Sequence, residues 1–370
     1  MNTVNDVFNR DESLIIDLRK LYESYGYKKF KMSKFEKYDL YLENKSFLRN
    51  GSIITVTDPK GRLLALKPDI TLSIVKNLTT VSFPEKVYYT ENVYINDSDI
   101  GEIKEITQVG LEYIGDLDIR ALSEILLLAA KSLDMVGDYR IAVSHMGFFT
   151  EILDSANVSE AVKTQIVKLI NDKNLHGLRM ICDSENVDEE CANRLFGLIN
   201  ICGNFYDSLK KAEKLVCGEV SSSALCELKA ISETIDKFGL SEKFILDFSV
   251  TNDMNYYNGL VFQGFLNGVP KNVLSGGRYD NLVHRFGCEK SAVGFAVYPE
   301  LLGLLNYKKE DQDYEVLLIY SPECDPFSVL EFQNKIIENG ERCIALCEEV
   351  EGLKYGRKIV ISADGSITNE

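Results

Sequence analysis

The chain of 370 residues contains no run of eighteen apolar residues, so no membrane-spanning helix is expected from it. Its first residues, MNTVNDVFNRDESL, show no basic patch followed by an apolar core, so no secretory leader is indicated and a cytoplasmic location is the expectation. The nine cysteines (Cys182, Cys191, Cys202, Cys217, Cys226, Cys288, Cys324, Cys343 and Cys347) never form a C-x-x-C pair, and the three histidines, His145, His176 and His284, are scattered. No zinc-ligand spacing can be built from sequence neighbours, so no metal is expected and the thiols read as buried or idle in a reducing compartment. Positive charge is scarce as well. Lys and Arg number 41 against 57 Asp and Glu, and the net charge of −16 argues against a broad nucleic-acid footprint, which depends on cations displacing counterions.

Two ligand motifs are also missing. The acidic loop INDSDIGEIKE invites a calcium reading, but with Gly101 at the sixth position of an EF-hand loop, Ile100 falls fifth and Thr107 twelfth, where ligands are required. The glycines of LSGGRYDNL, residues 274–282, fit neither the G-x-x-x-x-G-K-[ST] nor the G-x-G-x-x-G spacing. Neither stretch is a metal or phosphate loop.

What is present reads as a soluble α+β protein of two or three cores, with 45% apolar and 26% charged residues. Residues 12–26 place Leu14, Leu18, Leu21 and Tyr25 at helical spacing, with Asp11 as the expected N-cap. ITVTD and RLLAL flank the turn Asp58-Pro59-Lys60-Gly61 and predict a hairpin. A second strand pair is expected over Lys86–Ile95 and Ile103–Ile114, followed by a helix through IRALSEILLLAAKSLDMVG. From about 147 to 240 helical patterns dominate, which predicts an insertion; strands then return at FILDFSV, GLVFQGFL, KNVLSGG and AVGFAVY. The tail has strand, helix and strand patterns, with Asp325 as cap and Pro326 at the first helical position. The expected domains are 1–312 and 313–370.

The order of LKPDITLSIVKN, QVGLEYIG, NYYNGLVFQG, SGGRYDNLV and AVGFAVYPELL resembles the catalytic core of histidyl-tRNA synthetase, a class II aminoacyl-tRNA synthetase, over most of residues 1–305. The resemblance implies an antiparallel sheet of about six strands flanked by helices, usually dimeric, with a helical insertion. It implies a histidine pocket made by Asp69 and Thr71, by Gln108 and Glu112, and by Tyr256, Tyr257 and Tyr279. These residue types suit that ligand: carboxylates and an amide accept from an ammonium group, and tyrosines give flat walls with a polar tip.

The family's phosphate-facing groups do not match. Its motif 2 arginine and glutamate fall at Tyr94 and Asn96, the arginine before the tyrosine pair at Asn252, and the one closing motif 3 at Leu301. Losing one such donor costs about a hundred- to a thousandfold in rate, so adenylation should fail. Asp97, Asp99, Glu102 and Glu105 face a single Lys104 in the loop that would cover ATP, and should repel polyanions. Ser33 replaces the motif 1 proline while Glu36 is kept, and the C-terminal unit resembles a truncated anticodon-binding domain, a poor tRNA reader.

A kept histidine pocket with a dismantled ATP site resembles the regulatory-subunit family of ATP phosphoribosyltransferase. That resemblance implies a subunit without its own aminoacylation activity, in a hetero-octamer with a short-form catalytic subunit. It implies support for the first step of histidine biosynthesis, with L-histidine as effector and no cofactor, tRNA or membrane partner. The alternatives are an active histidyl-tRNA synthetase, a paralogue acting on another acceptor, or a scaffold without ligand.

Overall fold

Helix α1, Arg10–Ser24, turns its Leu18 and Tyr22 fully into the core. In the computed structural model, which describes residues 10–47, 53–77, 84–97, 102–251, 256–304 and 313–369, α1 begins one residue before Asp11. Asp11 is therefore the second helical residue and not the N-cap expected from the sequence. Acidic residues are favoured at the cap and throughout the first turn, so the two placements share one sequence signature.

Strand β1, Lys28–Lys29, leads to β2, Phe35–Lys37, and the short helix α2, Tyr38–Glu43. The predicted hairpin forms as β3, Thr55–Thr57, and β4, Leu63–Leu66, with β2 on the other side of β4 in a three-stranded sheet. Helix α3, Thr71–Asn77, follows the LKPDI turn. The second predicted pair is a long antiparallel hairpin, β5 (Glu85–Asp97) with β6 (Glu102–Gly115), in register from Glu85 opposite Ile114 to Asp97 opposite Glu102. Its tip, including Asp99, lies outside the described residues.

Helix α4, Ile119–Asp134, is capped by Asp118, whose carboxylate accepts from the Ala121 amide at 2.7 Å. The Tyr22 hydroxyl meets Ser132 Oγ at 3.0 Å and ties α1 to α4. Strand β7, Tyr139–His145, precedes the helical insertion: α5 (Met146–Asp154), α6 (Glu160–Asn171), α7 (Leu175–Ser184), α8 (Glu189–Asn200), α9 (Phe205–Ala212) and α10 (Glu219–Lys237). Its helix starts are written locally. Ser159, Asn174, Asp188 and Asn204 each accept backbone amides of the helix they precede, which satisfies donors the first turn leaves open. The one strand inside it is β8, Cys202–Asn204.

Four further strands complete the large sheet: β9 (Phe244–Asp247), β10 (Leu260–Leu266), β11 (Leu274–Arg278) and β12 (Ser291–Val297), with helix α11, Asp280–Arg285, between the last two. Among the described residues this sheet has nine strands in the order β1-β5-β6-β12-β11-β10-β7-β9-β8, against the six or so expected. Its central pairings are antiparallel, while β1 with β5 and β7 with β9 run parallel. The sequence reading passed over β7 and β8, one joined directly to a helix and the other only three residues long.

The chain divides into two compact units, of which Arg10–Leu305 is the first. The second, C-terminal unit contains β13 (Tyr314–Tyr320), α12 (Pro326–Glu338), β14 (Cys343–Leu346), β15 (Tyr355–Ile361) and β16 (Ile367–Asn369), in the sheet order β14-β13-β15-β16. Asp325 accepts from the Ser328 amide at 3.0 Å and Pro326 opens α12, as its sequence predicts. Val316, Leu318, Val329, Ile336, Ile359 and Ile361 form its core.

Candidate functional site: an acidic, tyrosine-walled cavity

Alternation along β6 sends Gln108, Gly110 and Glu112 to one face of the sheet and Val109 and Leu111 to the other. The cross-strand register then places Gly294 opposite Glu112 and Gly277 opposite Gly294. Each of these glycines leaves a space that a neighbour fills. A Cβ on Gly294 would fall on the Glu112 carboxylate, one on Gly110 on the Tyr89 hydroxyl, and one on Gly277 on the Tyr257 ring. Absence of side chains across three strands thus makes room for Glu112, Tyr89 and Tyr257, which line one cavity.

Glu112 is buried at its centre. Thr71 Oγ1 donates to Glu112 Oε1 at 3.0 Å, the Tyr89 hydroxyl reaches the same oxygen at 3.4 Å, and the Tyr279 hydroxyl donates to Oε2 at 2.6 Å. Burial pushes the carboxyl up to about 8, and the nearby Asp69 adds to the rise, against the three hydroxyl donors, which favour the ionised form. Asp69 Oδ1 also accepts from the Leu72 amide at 2.8 Å and so holds the first turn of α3, which carries Thr71.

Tyrosines close the sides. The Tyr256 and Tyr257 rings lie 4.8 Å apart at 64°, and Tyr256 stands 5.9 Å from Tyr279. All seven residues expected to form the pocket, Asp69, Thr71, Gln108, Glu112, Tyr256, Tyr257 and Tyr279, line this one cavity. Its volume is about 190 Å³, below the ~300–1,000 Å³ usual for larger ligands. None of its described lining residues is lysine, arginine or histidine. The arrangement is suited to a small cationic or zwitterionic solute with a flat group; its described lining offers a phosphate no cation.

Of the positions where the resemblance puts phosphate-binding groups, Tyr94 is turned across its own hairpin, its hydroxyl donating to Glu105 Oε1 at 2.9 Å. Asn96 is exposed near the hairpin end, and Leu301 packs on the apolar core. Asn252 lies outside the described residues. Arg278 stays out of the cavity lining: its Nε donates to Asp280 Oδ2 at 2.8 Å and its Nη2 to Ser291 Oγ at 3.3 Å. It braces the strand.

Sequence reasoning missed Tyr89, Ser275, Tyr298 and Gly294, all of which line the cavity. Only the strand register, which pairs Gly294 of β12 with Glu112 of β6, puts this glycine and this carboxylate on one face. It also missed Lys67, which is buried beside Pro68 and Asp69. Its ammonium contacts Glu91 Oε2 at 2.9 Å, and burial pulls its pKa down against that attraction. This nearby cation is engaged by Glu91.

A mainly antiparallel sheet flanked by helices, bearing an amino-acid-sized cavity on one face, defines a class II aminoacyl-tRNA synthetase-like protein. The family model for histidyl-tRNA synthetase matches residues 4–302. The ATP phosphoribosyltransferase regulatory subunit of Clostridium kluyveri is 33% identical over 324 residues, 82% of this chain and 80% of that one. A crystal structure of an ATP phosphoribosyltransferase regulatory subunit/histidyl-tRNA synthetase from Bacillus halodurans matches with a TM-score of 0.78 at 25% identity, over 95% of this chain and 94% of that one. A chain of the ATP phosphoribosyl transferase (HisG:HisZ) complex from Thermotoga maritima matches at 17% identity and a TM-score of 0.63, over 79% of this chain and 98% of that one, which is a likeness of fold. The chain belongs to the ATP phosphoribosyltransferase regulatory subunits, within the histidyl-tRNA synthetase family.

Proposed function

We propose that this chain senses L-histidine in the Glu112 cavity and conveys its occupancy to a short-form ATP phosphoribosyltransferase catalytic subunit, within a cytoplasmic hetero-octamer. It is a regulatory subunit, not a catalyst: aminoacylation is absent and catalysis of the first step of histidine biosynthesis belongs to the partner. The observation that carries the reading is a cavity with two carboxylates and three tyrosine walls but no basic group among its described lining residues. Such a site favours an α-ammonium and an imidazole, and disfavours a triphosphate. L-Histidine acts as effector, and no cofactor or tRNA takes part.

Feedback follows if histidine binds two quaternary states unequally. A coupling of about 1–3 kcal/mol changes affinity roughly 5- to 150-fold, enough for ordinary inhibition. The test is co-purification with the short catalytic subunit, then activity with and without this chain and with added histidine. Activation by the chain, and inhibition by histidine that Glu112→Ala removes, are expected. A catalytic subunit that works equally well alone and is still inhibited by histidine overturns the reading.

A further inference from the structure

The tyrosines of the cavity are held from behind. Asn258, directly after Tyr257, and the pair Arg278 and Asp280, on either side of Tyr279, form one hydrogen-bonded cluster. Asn258 Nδ2 donates to Asp280 Oδ2 at 3.2 Å, and the Asp280 amide donates to Asn258 Oδ1 at 2.9 Å. Asp280 Oδ1 accepts from the Ala292 amide at 3.0 Å, while the Asn258 amide donates to the Arg278 carbonyl at 3.0 Å. The turn that presents Tyr257 and the turn that presents Tyr279 are therefore fixed to each other through a buried carboxylate.

This cluster continues into the helical insertion. The Arg278 side chain lies over Gly259, where a Cβ would collide with it, and points its guanidinium toward α10. There Glu227 Oε2 stands 3.7 Å from Arg278 Nη1. The other oxygen, Oε1, is 3.2 Å from His145 Nε2 at the start of α5, and His145 Nδ1 accepts from the Phe148 amide at 3.4 Å. That second bond leaves the proton on Nε2, facing Glu227. Glu227 thus joins both ends of the insertion to the arginine behind the cavity wall. Its side chain is 18% exposed, so the ion pair is only partly screened.

We propose that Glu227 is a positioning residue through which the helical insertion and the amino-acid cavity read each other's state. It touches no ligand. It restrains Arg278, and through Asp280 and Asn258 it restrains the two tyrosines, so a ligand that fixes those rings also fixes α10. Coupling of this kind is reciprocal: what the insertion does to histidine affinity, histidine does to the insertion. The inference rests on the histidine reading of the cavity, and it adds the insertion as the element that responds.

The test uses the full chain. Calorimetry with L-histidine compares the parent with Glu227→Gln, which keeps the shape and removes the charge, and with Glu227→Asp, which keeps the charge. Glu227→Gln is expected to weaken binding about fivefold or more, with Glu227→Asp in between. Hydrogen exchange on the parent, which needs no variant, is expected to show histidine protecting α10 amides around Glu227 as well as β6. If the parent binds histidine and Glu227→Gln binds equally, or if α10 exchange ignores the ligand, the inference falls while the site reading stands. If the parent binds no histidine, both fall.

Discussion

The Tyr279 hydroxyl donates to Glu112 Oε2 at 2.6 Å, joining residues 167 positions apart across a wall and a floor of one cavity. Because this bond favours the ionised carboxylate, its loss should raise the Glu112 pKa further. Tyr279→Phe keeps the ring and removes only the donor, leaving Glu112 with Thr71 and Tyr89. A buried bond of this kind is worth about 1–3 kcal/mol when one partner is left behind. Histidine binding at pH 7 is expected to weaken, with the affinity profile displaced to higher pH. Calorimetry across pH 6–9 checks it, and an unshifted profile would count against the assignment.

The proton on Glu112 gives a second prediction. With its carboxyl at about 8, the empty cavity is mostly protonated at neutral pH. An incoming ammonium needs the carboxylate, so binding should expel a proton, and affinity should climb by up to about tenfold per pH unit on approach to 8. Binding heats measured at pH 7 in buffers of different ionisation enthalpy should differ accordingly. Heats that do not depend on the buffer would show that Glu112 keeps its charge state on binding.

The same group has a stability consequence of opposite sense. Below about pH 4.5, the ordinary value, folded and unfolded chains both hold the proton; between there and about 8 only the folded chain does. The raised folded value therefore stabilises fully at low pH and its contribution is lost as pH climbs, by up to about 1.4 kcal/mol per unit. Glu112→Gln cannot ionise and should flatten this part of the urea-unfolding profile between pH 5 and 8, while histidine binding is lost. A variant profile parallel to the parent's would argue that Glu112 is not the group responsible.

How much of this was legible in the sequence follows from where each constraint is written. The seven pocket residues were reached through the resemblance of their short motifs to a family's, and they meet in one cavity. The helix caps at Asp118, Ser159 and Asp325 are local, each made by the residue and the amide three positions on. Gly294 opposite Glu112 is different, because the register of two strands 182 positions apart decides it. Lys67 with Glu91, and Glu227 with Arg278, were equally out of reach. Each is an ion pair between elements that only tertiary packing brings together.

Gly294 supplies a fourth test. Its missing Cβ is the space that the Glu112 carboxylate occupies, with the β6 backbone close behind. Gly294→Ala must push the carboxylate into the cavity or part the strands, and overpacking of this kind costs about 1–3 kcal/mol. Reduced stability in urea together with lost histidine binding is expected. If the variant binds histidine like the parent, the floor of the cavity is not where the register puts it.

The expected lack of adenylation can be challenged directly by restoring a cation at Tyr94. In the β5–β6 hairpin Tyr94 faces Glu105, which also accepts from Asn92 Nδ2, and these donors hold the Glu105 carboxylate below its ordinary range. An arginine placed there would meet an ionised carboxylate on the facing strand and pair with it, not with a phosphate. Leu301 would still pack on the core, and Lys67 would still be engaged by Glu91. One recovered donor is worth about a hundred- to a thousandfold only where the rest of the constellation is present, since groups that act as a unit do not add. Neither the parent nor Tyr94→Arg should catalyse histidine-dependent exchange of pyrophosphate into ATP. Exchange by the parent would restore the synthetase reading, and exchange by the variant alone would mean that a single substitution had disarmed an otherwise complete ATP site.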